Sequence, residues 1–148
     1  MNYIDTPTFI TYAAARGQTF DTAKAEIVLT KAMDFLQLQC WRGTKTDPQQ
    51  ENDWPRSGIP GVDETKVPAA VVDAQCRLAM AASKIDLLPS FAGGPAVIEE
   101  TFQGVGTFKY AEATLNSRPS FPWMIALLAG LTCPDASSGG INMRVRRG

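Results

Sequence analysis

Two segments of this chain carry apolar residues at helical spacing, and the stretch between them can continue neither helix. In the first, a start signal at Asp21 or Thr22 opens a pattern that runs to Cys40. Leu29, Met33, Leu36 and Cys40 follow steps of four, three and four, and Ala25, Val28, Ala32 and Phe35 form a neighbouring row. Together they make an apolar face wide enough for a helical core. Trp41-Arg42-Gly43 ends it. In the second, Pro68 opens a helix on which Val71, Leu78 and Ile85 stand seven apart. Ala69, Ala70, Ala74, Ala79, Ala81 and Ala82 favour helix and let a neighbouring helix approach closely. Leu88-Pro89 marks its expected end.

The intervening residues, 43–67, are rich in Gly, Pro, Asp, Gln and Thr and predict a long irregular loop. Loops of that length inside a compact domain are usually functional or mobile. Trp54-Pro55-Arg56 lies within it, and an aromatic in so polar a stretch must dock on its own domain or on a partner. Trp and Arg are common interface anchors, so one reading has Trp54, Pro55 and Arg56 meeting a neighbouring copy of the chain. The other has Trp54 pinning the loop to its own core.

The flanks complete the layout. Thr6 and Pro7 open a short first helix and Gly17 closes it. Between about 96 and 110, two β-favouring runs flank Gly104 and Gly106 and predict a hairpin, with Phe102, Val105 and Phe108 as its apolar contact residues. A lone hairpin is marginal, so it should lie on the helices or on a neighbouring subunit. Pro119 to Leu131 is apolar on most sides and predicts a buried final helix. Asp135-Ala136-Ser137-Ser138-Gly139-Gly140 reads as a flexible linker. The expected fold is mainly α: a helical bundle of about four helices with a long loop, one β-hairpin and an extended C-terminal tail. Residues 1–134 form the domain, and residues 135–148 form the linker and arm.

Chemistry is constrained by what is missing. The chain has no histidine and a formal net charge of −1, so Ser–His and Cys–His pairs are excluded and no global charge favours nucleic acid. There is no GxxxxGK[ST], and Gly104-Val105-Gly106 reads as a turn rather than part of a dinucleotide motif. Glu99 and Glu100 are adjacent and would point to opposite faces of a strand. Asp63 and Glu64 read as loop or helix-entry charge. We therefore expect no catalytic residues, no cofactor and no metal site, and hence no enzyme. Cys40, Cys76 and Cys133 are odd in number, far apart and without CxxC spacing; they suggest no disulfide framework, and Cys40 and Cys76 read as small core residues in a protein made in a reducing cytosol. The N-terminus has no signal-peptide pattern, and the longest apolar stretch, Phe121 to Leu131, is too short to span a membrane.

The end of the chain has strand periodicity. Ile141, Met143 and Val145 alternate with Asn142, Arg144 and Arg146, and Arg147 adds a further charge. A flexible linker followed by an alternating basic segment is what β-augmentation onto a partner's sheet edge uses. A frayed terminus and a nonspecific phosphate-binding tail are the alternatives; the second lacks interleaved aromatics. Elsewhere Lys24, Lys31, Arg77, Lys84, Lys109 and Arg118 are scattered along the sequence.

These pieces, taken in order, resemble a known family. They are Thr11-Tyr12-Ala13-Ala14-Ala15-Arg16-Gly17, the helix end at Trp41-Arg42-Gly43, and Gln49/Gln50 with Trp54-Pro55-Arg56-Ser57-Gly58 after it. Then come Val67-Pro68, Phe108-Lys109-Tyr110, and Gly139-Gly140 with Arg146-Arg147-Gly148 at the end. The chain resembles the head–tail connector, or adaptor, proteins of tailed bacteriophages, many of which carry a DnaT-like single-stranded-DNA-binding label. It departs from them at Phe102-Gln103-Gly104-Val105-Gly106, where a more charged turn is the norm. The resemblance implies a helical bundle assembling as a ring of about twelve copies under the portal protein. Ile141, Asn142, Met143, Arg144, Val145, Arg146 and Arg147 would bind the portal, and a stopper, tail terminator or other neck protein would dock below. Genomic DNA would pass through the channel without sequence-specific contact, and no membrane is involved. The location implied is the virion, after synthesis in the host bacterial cytoplasm. The label itself implies the alternative, a single-stranded nucleic-acid-binding module.

Overall fold

The structure, a computed structural model, describes residues 1–89, 99–102, 106–109 and 119–134. Four helices, α1 (Thr6–Ala14), α2 (Thr22–Gln37), α3 (Ala69–Ala82) and α4 (Pro122–Leu127), account for most of its regular structure. Two short antiparallel pairs accompany them: β1 (Thr44–Lys45) with β2 (Arg56–Ser57), and β3 (Glu99–Phe102) with β4 (Gly106–Lys109). The mainly helical class read from the sequence holds, hairpin included.

The helix starts obey local chemistry. Asp5 rather than Thr6 caps α1: its carboxylate accepts from the Thr8 amide at 3.1 Å, and Pro7 sits inside the first turn. The Thr8 bonds hold the Asp5 carboxyl below the usual aspartate range. Asp21 caps α2, accepting from the Lys24 amide at 2.8 Å. The α2 face is the expected one, since Ala25, Val28, Leu29, Ala32, Met33, Phe35 and Leu36 are all buried. Pro68 precedes α3 as expected, but the helix stops at Ala82, and Ile85 lies beyond it, exposed. Val71, Ala74, Leu78 and Ala79 face the core, and α2 packs on α3 more extensively than any other pair of elements. Small alanine side chains there allow that close approach.

Among the described residues, Gln75 is the one polar residue buried in this core. Its Oε1 accepts from the Tyr3 amide at 3.0 Å, and its Nε2 donates to Asn2 Oδ1 at 3.0 Å and to the Leu29 carbonyl at 3.3 Å. A buried amide costs little once its groups are paired. The effect is to lash the N-terminal residues onto α3.

Candidate functional site

The loop at 43–67 is a built structure. Trp54 is 2% exposed and lies edge-on to Trp41, with ring centroids 5.5 Å apart. The Trp41 indole donates to the Leu36 carbonyl at 3.1 Å, so both indoles belong to the core below the end of α2. Arg56 closes the base of the loop: Nε donates to the Arg42 carbonyl at 2.8 Å, Nη2 to the Gly43 carbonyl at 2.7 Å and Nη1 to the Asp53 carbonyl at 3.2 Å. Gly43 has φ +71°, and a Cβ there would run into the Ser57 carbonyl, so only glycine fits this crossing. Tyr3 completes the brace, its hydroxyl accepting from the Trp54 amide at 3.3 Å. Burial pushes the Tyr3 phenol up to about 12. These contacts of Trp54 and Arg56 lie within one chain, and the Trp54–Pro55 peptide is cis.

The final helix behaves in the opposite way. It is shorter than the expected Pro119–Leu131 span, and none of its six residues is buried. Ile125 is 60% exposed, although Leu128 and Leu131 just beyond it are buried. The expectation of an all-round buried helix is therefore corrected. The segment lies over the edge of the domain, where Phe121 packs edge-on against Phe35 at 5.7 Å. Its apolar outer side has no cover among the described residues. Ile27 on the outer side of α2 and Leu38 just past its end add further exposed apolar surface, at 56% and 55%.

The segment after α4 also corrects the cysteine reading. The chain doubles back antiparallel to residues 40–42: the Arg42 amide donates to the Leu131 carbonyl at 2.9 Å, the Cys133 amide donates to the Cys40 carbonyl at 2.8 Å, and Trp41 bridges to Thr132. This alignment brings Cys40 and Cys133 to a Cα separation of 5.3 Å, and they form a disulfide. Cys40 is not a core thiol. Cys76 is the free, buried one, its thiol pushed up to about 11 by burial. The sequence hides the disulfide because its partners are 93 residues apart and paired only by this reversal.

A second surface is not legible in the sequence at all. Tyr12 in the last turn of α1 with Arg16 just past it, and Asp73 and Arg77 on α3, are two i, i+4 pairs that the packing of the helices brings together. Tyr12 donates a hydrogen bond to Asp73 Oδ1. Arg77 Nε donates to Asp73 Oδ2 at 2.9 Å, in the orientation that suits a helix dipole. The Arg16 guanidinium lies 3.5 Å from the Tyr12 ring centroid, and that of Arg77 5.7 Å from the Trp123 centroid. Burial, then the bond to Asp73, pushes the Tyr12 phenol up to about 12, while Arg16 and Arg77 oppose the shift. Tyr12 therefore stays a donor near neutral pH. Beside it an open depression of about 510 Å³ is lined by Pro7, Thr8, Thr11, Tyr12 and Ala15. Each of the two pairs is visible in the sequence, but nothing local says that they meet.

The remaining expected contact residues divide simply. Ile141, Asn142, Met143, Arg144, Val145, Arg146 and Arg147 lie outside the described residues, as does Val105. Phe102 and Phe108 hold strand positions, opposite Gly106 and Glu100 respectively. Among the described residues, no three His, Cys, Asp or Glu side chains are grouped to hold a metal ion, and no helix is long and apolar enough to cross a membrane.

Fold and surfaces define a small, mainly helical domain closed by one disulfide, with a braced loop, a half-buried apolar helix whose outer side at Ile125 is exposed, and an arginine–aromatic row. The chain belongs to the family described as "Putative DnaT-like ssDNA binding protein", which it matches over residues 2–148. No curated protein and no solved structure matches it.

Proposed function

We propose that this chain is a non-catalytic ring subunit at the head–tail junction of a tailed bacteriophage, seated on the portal protein through Ile141 to Arg147. The observation that carries this reading is α4: an apolar helix without a buried residue, with Ile125 turned to solvent. Exposed apolar surface on a domain whose loop is anchored to its own core is the feature a protein partner would cover. Neighbouring copies and a neck protein are the partners that the resemblance to phage connectors supplies. In this reading the braced loop 43–67 would meet an adjacent copy through its exposed residues, with Trp54 and Arg56 holding its shape.

The second reading, a single-stranded nucleic-acid-binding module, is favoured by the family's own description, which speaks for it directly and for the connector only through the resemblance. The row of Arg16, Tyr12, Arg77 and Trp123 is the feature suited to it. The net charge of −1 weighs against strong binding at physiological salt.

Electron microscopy of portal-bearing capsids mixed with the purified chain tests the first reading, with oligonucleotide binding measured in parallel. The connector reading expects added ring density at the portal vertex, lost when residues 141–148 are removed. Ring density that survives the truncation would move the docking element elsewhere. Absence of density together with tight single-strand binding at physiological salt would leave the second reading standing alone.

A further inference from the structure

We propose that Arg16 and Arg77, held in place by Tyr12, Asp73 and Trp123, form a docking site for the phosphodiester backbone of nucleic acid. The proposal rests on the nucleic-acid-binding reading above, and it names the residues that make the contact.

The two guanidiniums have donors to spare. Arg77 donates Nε to Asp73 with the Tyr12 hydroxyl close by, and its two Nη groups make no geometrically defined hydrogen bond among the described residues. Arg16 uses Nη1 on the Tyr12 carbonyl at 3.1 Å, which leaves Nε and Nη2 without a partner among the described residues. Both side chains are exposed. Two guanidiniums with unused forks suit phosphate oxygens better than point charges do.

They are also preorganised. A guanidinium stacked at 3.5 Å on Tyr12 and another tethered to Asp73 have already lost much of their rotamer freedom. Each phosphate contact therefore costs less ordering. Asp73 does not cancel the site, because the cluster sets one carboxylate against two guanidiniums and both carboxylate oxygens are engaged, Oδ1 by Tyr12 and Oδ2 by Arg77. With Tyr12 held protonated, the cluster keeps a net positive charge at neutral pH.

The neighbourhood fits the same ligand. The partly exposed Trp123 stands beside Arg77, and the depression along α1 opens beside Tyr12. Aromatic faces next to backbone-binding cations are how sequence-tolerant nucleic-acid surfaces are built. Single strands and duplex share the phosphodiester chemistry, so the test separates them.

Fluorescence anisotropy of the full chain with an oligo(dT) strand and with a duplex of equal length supplies that test. An Arg16→Gln/Arg77→Gln variant is compared with Lys24→Gln/Lys84→Gln, which removes the same charge from exposed positions off the row. For whichever nucleic acid the chain binds, the arginine variant should weaken affinity about tenfold or more at low salt. It should also flatten the log–log salt slope by about 1.4 for single strands or about 1.8 for duplex, as two lost phosphate contacts require. The lysine variant should change both much less. Equal binding by the arginine variant and the wild type overturns the site, as does an equal loss in the lysine control. If the wild-type chain binds neither nucleic acid at about 50 mM salt, the nucleic-acid-binding reading fails and takes the site with it; the wild-type arm alone reports that case.

Discussion

The loop at 43–67 and the helix α4 invert what their compositions suggest. The loop is polar and full of Gly and Pro, yet it is anchored by a buried indole and by an arginine that closes on three backbone carbonyls. The helix is almost wholly apolar, yet none of its residues is buried. Apolar content says what a segment would gain by burial; it does not say that its own chain supplies the cover. A polar loop can pack against a core when its buried backbone groups are paired, whatever its composition. The loop thus ties its residues to the domain core, and the outer side of the helix is the surface we propose for a partner.

The contrast can be broken most forcefully at Trp54. Trp54→Ala empties a buried site against Trp41 and should cost about 3–5 kcal/mol in urea or guanidinium unfolding. A loss below about 1 kcal/mol would mean that the loop does not brace the domain. Next in size is the clip just beyond α4. Cys40→Ser opens a cross-link between residues 93 apart, and the cost should be about 2–4 kcal/mol under non-reducing conditions. Under strong reductant, wild type and variant should unfold together; if they already do so without it, the disulfide is not formed.

The N-terminal lashing is smaller. Gln75→Leu keeps the volume but strands the Tyr3 amide, at about 1–3 kcal/mol by denaturant titration. The weakest effect is on the alkaline side. The Tyr3 and Tyr12 phenols are raised to about 12 in the fold from 10.0. The folded state thus holds their protons where the unfolded state has released them. Their contribution is complete below about pH 10 and is lost as pH rises toward about 12. The melting temperature should fall across that window, less steeply in a Tyr3→Phe/Tyr12→Phe variant; an unchanged slope contradicts the burial of Tyr3 and the bond of Tyr12 to Asp73.

How much of the fold and its surfaces the sequence makes legible depends on how local each determinant is. The buried faces of α2 and α3 are legible because helical spacing is a property of neighbouring residues. Leu29, Met33 and Leu36 lie where their periodicity puts them. The destination of Trp54 stays open between its own core and a partner at the level of sequence, since it depends on where α2 ends and on Trp41. Cys40 reads wrongly as a core thiol because the reversal after α4 that presents Cys133 leaves no local signal. Ile85 reads as part of α3 because the Val71–Leu78 spacing continues past the point at which the helix stops. The row from Arg16 to Trp123 exists only because α1, α3 and α4 pack together, and no spacing encodes that.

The central claim, that the apolar helix is kept open for assembly, is tested most directly with Ile125→Glu. The side chain is exposed, so the stability of the lone variant should lie within about 0.5 kcal/mol of wild type. Both proteins are mixed with portal-bearing capsids and imaged by electron microscopy. Ring density is expected with wild type and none, or sharply reduced occupancy, with the variant at equal concentration. Equal occupancy for the two would show that α4 is not the assembly surface.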